Sequence, residues 1–290
     1  MSQPASGRQI RLPKLPKLGD NADMQTEPPK ADPPKRKRRW FQFSLRSLLI
    51  FTLICAVGCA WVVRRMERKR KEREAVETLV ERGGRATYDY QDDGADPPGT
   101  DWLRELLGEN FFSEVVDVNL CGNWHVTDAG LARLEALTEL QTLNLVVTSV
   151  TDAGLVHVKA LTNLKRLILG NTHVTDAGLV HVKGLTKLKE LSLDNTEVTD
   201  AGLVNLRGLS HLQRLDLGGT QVTDAGLAHL KGLTELQILN LGPNLDVTDT
   251  GLANLKGLDK LDTLDLSLTK VTDAGVKDIQ KSLPNCVIIH

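Results

Sequence analysis

Aromatic residues are scarce. The 290 residues hold five Phe, four Trp and two Tyr, or 4 % of the chain. A core built on large rings is therefore excluded, and apolar burial has to come from aliphatic side chains. Cysteine is equally sparse. Cys55 and Cys59 fall inside one apolar run, while Cys121 and Cys286 stand near opposite ends of residues 113–290. About eight strands spaced ~4.8 Å apart would separate that last pair by on the order of 30 Å. A disulfide needs Cα atoms within about 7 Å, so a disulfide-stapled domain is excluded. No Asn-X-Ser/Thr acceptor occurs, which argues against a eukaryotic secretory product. Net charge is also lacking, at −1, but this is a cancellation between a basic front and an acid-leaning back.

What the chain has instead is repetition. Val-Thr-Asp-Ala-Gly-Leu stands at Val126–Leu131, Val150–Leu155, Val174–Leu179, Val198–Leu203 and Val222–Leu227. It returns at Val247–Leu252 with Thr250 for Ala, and at Val271–Val276 with Val for Leu. The steps are 24, 24, 24, 24, 25 and 24 residues, a period that specifies a solenoid. Leu recurs with the phrase, as at Leu161, Leu164, Leu167 and Leu169, followed by Thr172 and Val174. The Leu-x-Leu portion alternates like a strand with one buried face. After Val-Thr-Asp the apolar positions fall three or four apart, as at Leu179, Val182 and Leu185, which is helix spacing. Thr175 or Asp176 is placed to cap that helix. Each repeat is thus a strand, a turn and a short helix. The fold class is α/β, with a parallel sheet on the concave side and helices on the convex side.

Five domains are expected. Residues 1–42, rich in Pro, Lys and Arg, read as a disordered tail with too few apolar groups to offset the entropy of ordering. Residues 43–63 read as a transmembrane helix, with Trp40 and Trp61 near its ends. Its uncharged part, Ser47–Val63, is 17 residues long. A cleaved signal peptide is the other reading, although its leading region would be unusually long. Residues 64–83 read as a charged helix with an apolar stripe at Ala75, Val76, Leu79 and Val80. Residues 84–112 read as an amino-terminal cap, with Trp102, Leu103, Leu106 and Leu107 on one face of a helix and Phe111 and Phe112 following. Residues 113–290 carry the repeats. Lys35–Arg39 and Arg46 precede the apolar run, and seven basic residues between Arg64 and Arg73 follow it. Charge alone leaves the orientation open. The long carboxyl-terminal domain favours an extracytoplasmic location for the repeats. The basic runs sit beside an apolar helix, so they suit lipid headgroups better than nucleic acid.

The Leu pattern resembles the leucine-rich repeat family, with Thr148, Thr172, Thr196, Thr220 and Thr269 where that family usually places Asn. A ladder of hydroxyls is expected in place of amides. The repeat phrase is similar to repeats of F-box-associated proteins. With Phe43–Leu49 (FSLRSLL), it more closely resembles a planctomycete group of membrane-anchored repeat proteins. No F-box stretch precedes the repeats. The resemblance implies a membrane-anchored repeat protein of undefined role, and the extended surface of a solenoid points to binding by display, without bond-making.

Function in such a sheet belongs to outward strand positions. The candidates are Arg166, Ile168, Glu190, Ser192, Asp194, Arg214, Asp216, Asn240 and Asp265, a small, polar face of mixed sign. His157, His181 and His229 recur at one repeat position and suggest a metal column, but template copying accounts for them. The Asp column at Asp128, Asp152, Asp176, Asp200, Asp224, Asp249 and Asp273 suggests calcium, but helix capping accounts for it. No catalytic pair, phosphate loop, metal or cofactor is expected. The expected partners are a protein at the concave face and a lipid bilayer at residues 43–63. The alternatives are a structural envelope or scaffold protein without a specific ligand, or an accessory domain of an enzyme. Two rungs carry one extra residue, with Asn123 and Asn244 at the same place, and a bulged turn is expected at each.

Overall fold

The computed structural model describes residues 45–91, 94 and 96–290. The tail at 1–42 and the aromatic residues Trp40 and Phe43 lie outside the described residues. Contacts divide the chain into two compact units, Met1–Thr52 and Leu53–His290. The described part of the first is the opening of helix α1 (Leu45–Glu81), where the Thr52 hydroxyl donates to the Leu49 carbonyl.

In the second unit, β1 (Arg85–Tyr88) and α2 (Asp101–Leu107) precede the repeats. The repeats then alternate: β2 (Val115–Asn119), α3 (Asp128–Leu131), β3 (Thr142–Asn144), α4 (Asp152–Val158), β4 (Arg166–Ile168) and α5 (Asp176–Val182). They continue with β5 (Glu190–Ser192), α6 (Asp200–Leu203), β6 (Arg214–Asp216), α7 (Asp224–Leu227), β7 (Ile238–Asn240) and α8 (Asp249–Leu252). The last rungs are β8 (Thr263–Asp265), α9 (Asp273–Ser282) and β9 (Val287–Ile289). The nine strands form one sheet in sequence order, parallel throughout except that β1 runs antiparallel to β2.

Register follows from the repeat length. Leu143, Leu167, Leu191, Leu215, Leu239 and Leu264 pair in a continuous row, each essentially inaccessible. Every strand therefore adds the same aliphatic layer to one core, and no rung could bury that layer alone.

The recurring phrase is explained atom by atom. Val is core. Thr is the helix N-cap, accepting the N–H two residues on at Thr151, Thr175, Thr199, Thr223 and Thr248. Asp is the first helical residue, and its carboxylate reaches into the next rung. Asp128 accepts the N–H of Thr151 at 2.8 Å and its hydroxyl at 2.7 Å. The same pair of bonds joins Asp152 to Thr175, Asp176 to Thr199, Asp200 to Thr223, Asp224 to Thr248 and Asp249 to Thr272. Gly makes room for that carboxylate: a Cβ at Gly154 would lie 2.5 Å from Asp128 Oδ1. Leu returns to the core. The Asp column is therefore a ladder between rungs, and the capping group is Thr. At Asp249, the Thr272 hydroxyl and then its N–H hold the carboxyl below the usual range.

The Thr hydroxyls at the family's Asn position do not form a ladder. Thr148, Thr172, Thr196, Thr220 and Thr269 each donate to the carbonyl three residues back, in the same rung, at 2.6–2.7 Å. A hydroxyl has one proton to give, and closing the local turn uses it. The two longer rungs supply an amide instead. Asn244 is buried and donates to Leu217 and Leu241 carbonyls at 2.8 Å each, and its Oδ1 lies 3.0 Å from the Thr220 hydroxyl oxygen. Asn123 is less buried, and its amide meets the Arg82 carbonyl at the end of α1.

The first rung is covered by α1 rather than by α2. The buried stripe on α1 is Lys69, Glu72, Ala75 and Leu79. Val80, expected in that stripe, is 52 % exposed, because a step of 100° per residue turns it away from Leu79's face. Phe111 is buried, whereas α2 has no buried residue.

Candidate functional site

The exposed sheet face is built from the first and third residues of each strand, since the middle Leu points to the core. Arg166, Glu190 and Arg214 are register neighbours on β4, β5 and β6. Arg166 Nε lies 2.8 Å from Glu190 Oε2, and Arg214 Nη1 lies 3.9 Å from the same oxygen. Glu190 thus bridges two guanidinium groups that remain half exposed. Such exposed pairs are worth roughly 0–1 kcal/mol, so they tune the surface more than they stabilise the fold. They edge a shallow depression of about 350 Å³ that also takes in Lys165, Lys189, Gln213 and Gln237. Sequence reading missed that second column. Its signal was the polar residue standing one place before each strand, at Gln141, Lys165, Lys189, Gln213 and Gln237.

Farther along the strands the face turns acidic. Ser192 is 9 % exposed and donates to Asp194. Asp194 also accepts from the Asn171 amide at 3.3 Å. Asp216, Asn240 and Asp265 each use one side-chain oxygen to accept the N–H two residues on, from Gly218, Gly242 and Ser267 at 2.8–3.0 Å. Asn119 and Asn144 do the same for Cys121 and Val146. These candidates are therefore partly committed to holding the turn, Asn240 with its single side-chain oxygen, and the Asn240 side chain also bonds the Asp216 carboxyl. Burial pushes the Asp216 carboxyl up, and the charges of Asp194 and Asp265 add to this against the lowering bonds from Gly218 and Asn240. Ile168 interrupts the polar column at β4 and Ile238 lies diagonally from it on β7, the latter 36 % exposed.

Two histidines of the column meet side chains of the preceding rung. His157 Nδ1 lies 2.7 Å from Glu135 Oε1, and His229 Nδ1 meets the Arg207 guanidinium. Among the described residues no group of three His, Cys, Asp or Glu is arranged to hold a metal. What the face offers chemically is hydrogen bonds and charge at fixed spacing.

The fold and the face together define a parallel strand-and-helix solenoid. Leucine rich repeat profiles match residues 162–222 and 260–279. Among solved structures, internalin C2 of Listeria monocytogenes is 32 % identical with a TM-score of 0.50, covering 61 % of this chain and 70 % of that one. A second Listeria monocytogenes internalin is 24 % identical with a TM-score of 0.49, covering 64 % and 53 %. No curated protein matches the chain. The chain belongs to the leucine-rich repeat family.

Proposed function

We propose that this is a membrane-anchored leucine-rich repeat protein that binds a protein partner through its sheet face, the concave side of the solenoid. Domains of this family typically serve as scaffolds for protein interaction. The observation that carries the reading is the Arg166–Glu190–Arg214 strip, with Asp194, Asp216, Asn240 and Asp265 beyond it. These side chains are fixed in register on a continuous sheet and are half exposed. Order of this kind lowers the entropy lost on binding, because the contacting groups are already in place. The anchor would be α1. An 18-residue window of it has mean hydropathy 2.1 and none of that window is buried. A signal sequence meets the same description, so cleavage is part of the test. The repeats would lie outside the cytoplasm.

The test uses the full chain in its own membranes, with Arg166→Glu and Arg214→Glu together, and Lys183→Glu on the helical side as the control. Saturable capture of a partner should be lost with the sheet-face pair and kept with the control. Equal capture by both would put the partner on another surface, and no saturable partner at all would leave only a structural scaffold. A full-length band in washed membranes supports the anchor, and a shortened soluble product identifies a cleaved signal.

A further inference from the structure

α2 is the part of the cap that the solenoid leaves unused. Trp102 and Leu106 are one helical turn apart and are 62 % and 68 % exposed. They make an apolar pair that stands largely exposed. Its position gives it a partner. The chain leaves α2 at Leu107 and reaches Phe111 four residues later. The Phe111 ring meets the Trp61 ring edge-on, with centroids 6.3 Å apart. The Arg65 guanidinium carbon lies 5.5 Å from the Phe111 ring centroid and 5.8 Å from that of Trp61, and Arg65 Nε donates to the Phe111 carbonyl at 2.9 Å. Leu107 and Phe111 share a hollow with Met66 and Arg70 of α1. The exit of α2 is therefore fastened to α1 where its uncharged run, ending at Val63, gives way to Arg64 and Arg65.

The length of that run sets the level. Seventeen residues rise about 26 Å at 1.5 Å each, short of the ~30 Å hydrocarbon layer, and headgroups extend several ångströms farther. The helix between Trp61 and Arg68 would then lie in the interfacial zone. Trp is the side chain that favours this zone, since its ring is apolar and its N–H needs a polar partner.

We infer that α2 is an interfacial helix, with Trp102 and Leu106 set into the headgroup region of the bilayer that holds α1. The inference rests on the membrane-anchor reading above. Exposed cations at Arg64, Arg68 and Arg70 suit an anionic lipid surface beside it. The protein then holds the bilayer at two points, and rotation about the α1 axis is resisted.

The test reads tryptophan depth in the full chain, reconstituted in vesicles of phosphatidylcholine and phosphatidylglycerol. In matched vesicles the phosphatidylcholine is brominated near the top of its acyl chains. Three variants each keep one of Trp61, Trp102 and Trp124 and carry Phe at the other tryptophans. Trp61→Phe retains a ring against Phe111, and the other positions changed are exposed or outside the described residues. Bromination should lower Trp61 and Trp102 emission by roughly twofold and leave Trp124, on the first repeat, unchanged. Quenching of Trp61 with Trp102 behaving like Trp124 overturns the inference and leaves the anchor standing. Quenching of neither Trp61 nor Trp102 overturns the anchor, and the inference with it.

Discussion

Replacing the glycine of one repeat by alanine should destabilise the protein, against helix propensity. Gly178 lies inside α5, where alanine is ordinarily favoured by about 1 kcal/mol. A Cβ there would lie 2.5 Å from Asp152 Oδ1 and 2.9 Å from Leu155 Cδ1. Neither neighbour is free to yield. Leu155 is fully buried, and the Asp152 carboxylate accepts the Thr175 N–H at 2.8 Å and hydroxyl at 2.7 Å. Displacing the carboxylate weakens two hydrogen bonds to a charged acceptor, each worth about 1.5–3 kcal/mol when well shielded. The carboxylate is only part-buried, so about half of that sum is a fairer figure. Less the propensity gain, Gly178→Ala should cost about 0.5–2 kcal/mol. For a chain of this size that lowers Tm by roughly 2–4 °C per kcal/mol. Thermal unfolding of the full chain in detergent micelles measures it. The decisive comparison is a double-mutant cycle with Asp152→Ala, which removes the nearer of the two obstacles. In that background Gly178→Ala should cost less than in the native background, with the Leu155 contact remaining. A stabilising effect in the native background would refute the role assigned to the motif glycine.

Asn244→Ala removes two buried amide bonds, while the Leu217 and Leu241 carbonyls keep the Thr220 hydroxyl and the backbone N–H of residue 244, so it should cost about 1–3 kcal/mol in denaturant unfolding, whereas Asn123→Ala should cost under about 1 kcal/mol. Leu191→Ala opens a cavity in a fully buried row and should cost about 2–5 kcal/mol by the same measurement. At Glu114, burial acts to raise the carboxyl, but the Lys69 hydrogen bond and the charges of Lys69, Arg65 and Arg68 outweigh it and hold it below its ordinary 4.5. A depressed carboxyl stabilises the fold above its unfolded value and loses that contribution as pH falls through its folded value. The stability gap between wild type and Glu114→Gln should therefore narrow as pH is lowered below about 4.5 in pH-dependent unfolding. Cys121 is exposed and Cys286 is buried, so the native Cys121 thiol reports topology. A membrane-impermeant maleimide should label it in intact cells, and labelling only after permeabilisation would place the repeats in the cytoplasm. Ser192 is too enclosed to serve as that reporter.

The period made the solenoid legible, because a phrase copied every 24 residues places equivalent side chains in one row. The outward positions at Arg166, Glu190 and Arg214 followed from strand alternation alone. What was hidden is contact between rungs. In one repeat Asp152 looks like a helix cap, and only the stacked partner shows that its acceptor is used by Thr175. The same limit concealed the commitment of Asp216, Asn240 and Asp265 to their own turns, since an i to i+2 bond leaves no mark on periodicity. The part α1 plays in covering the first rung was hidden for a related reason. Trp102 and Leu106 look like cover for an open core, yet the cover comes from Ala75 and Leu79 on a helix dense in charge. Lys69 and Glu72 continue that buried face because they pair with each other.

The aspartate ladder also bears on how such a chain changes its length. Each rung offers a carboxylate to the rung after it and a threonine to the rung before it, so every internal unit is both plug and socket. A tandem duplication of one 24-residue unit would enter the stack with both ends already matched. Loss of one would join a plug to an identical socket. Repeat number can thus drift by whole cassettes through recombination between like segments, without inventing a single new contact. The unit of heredity for this half of the molecule is the rung.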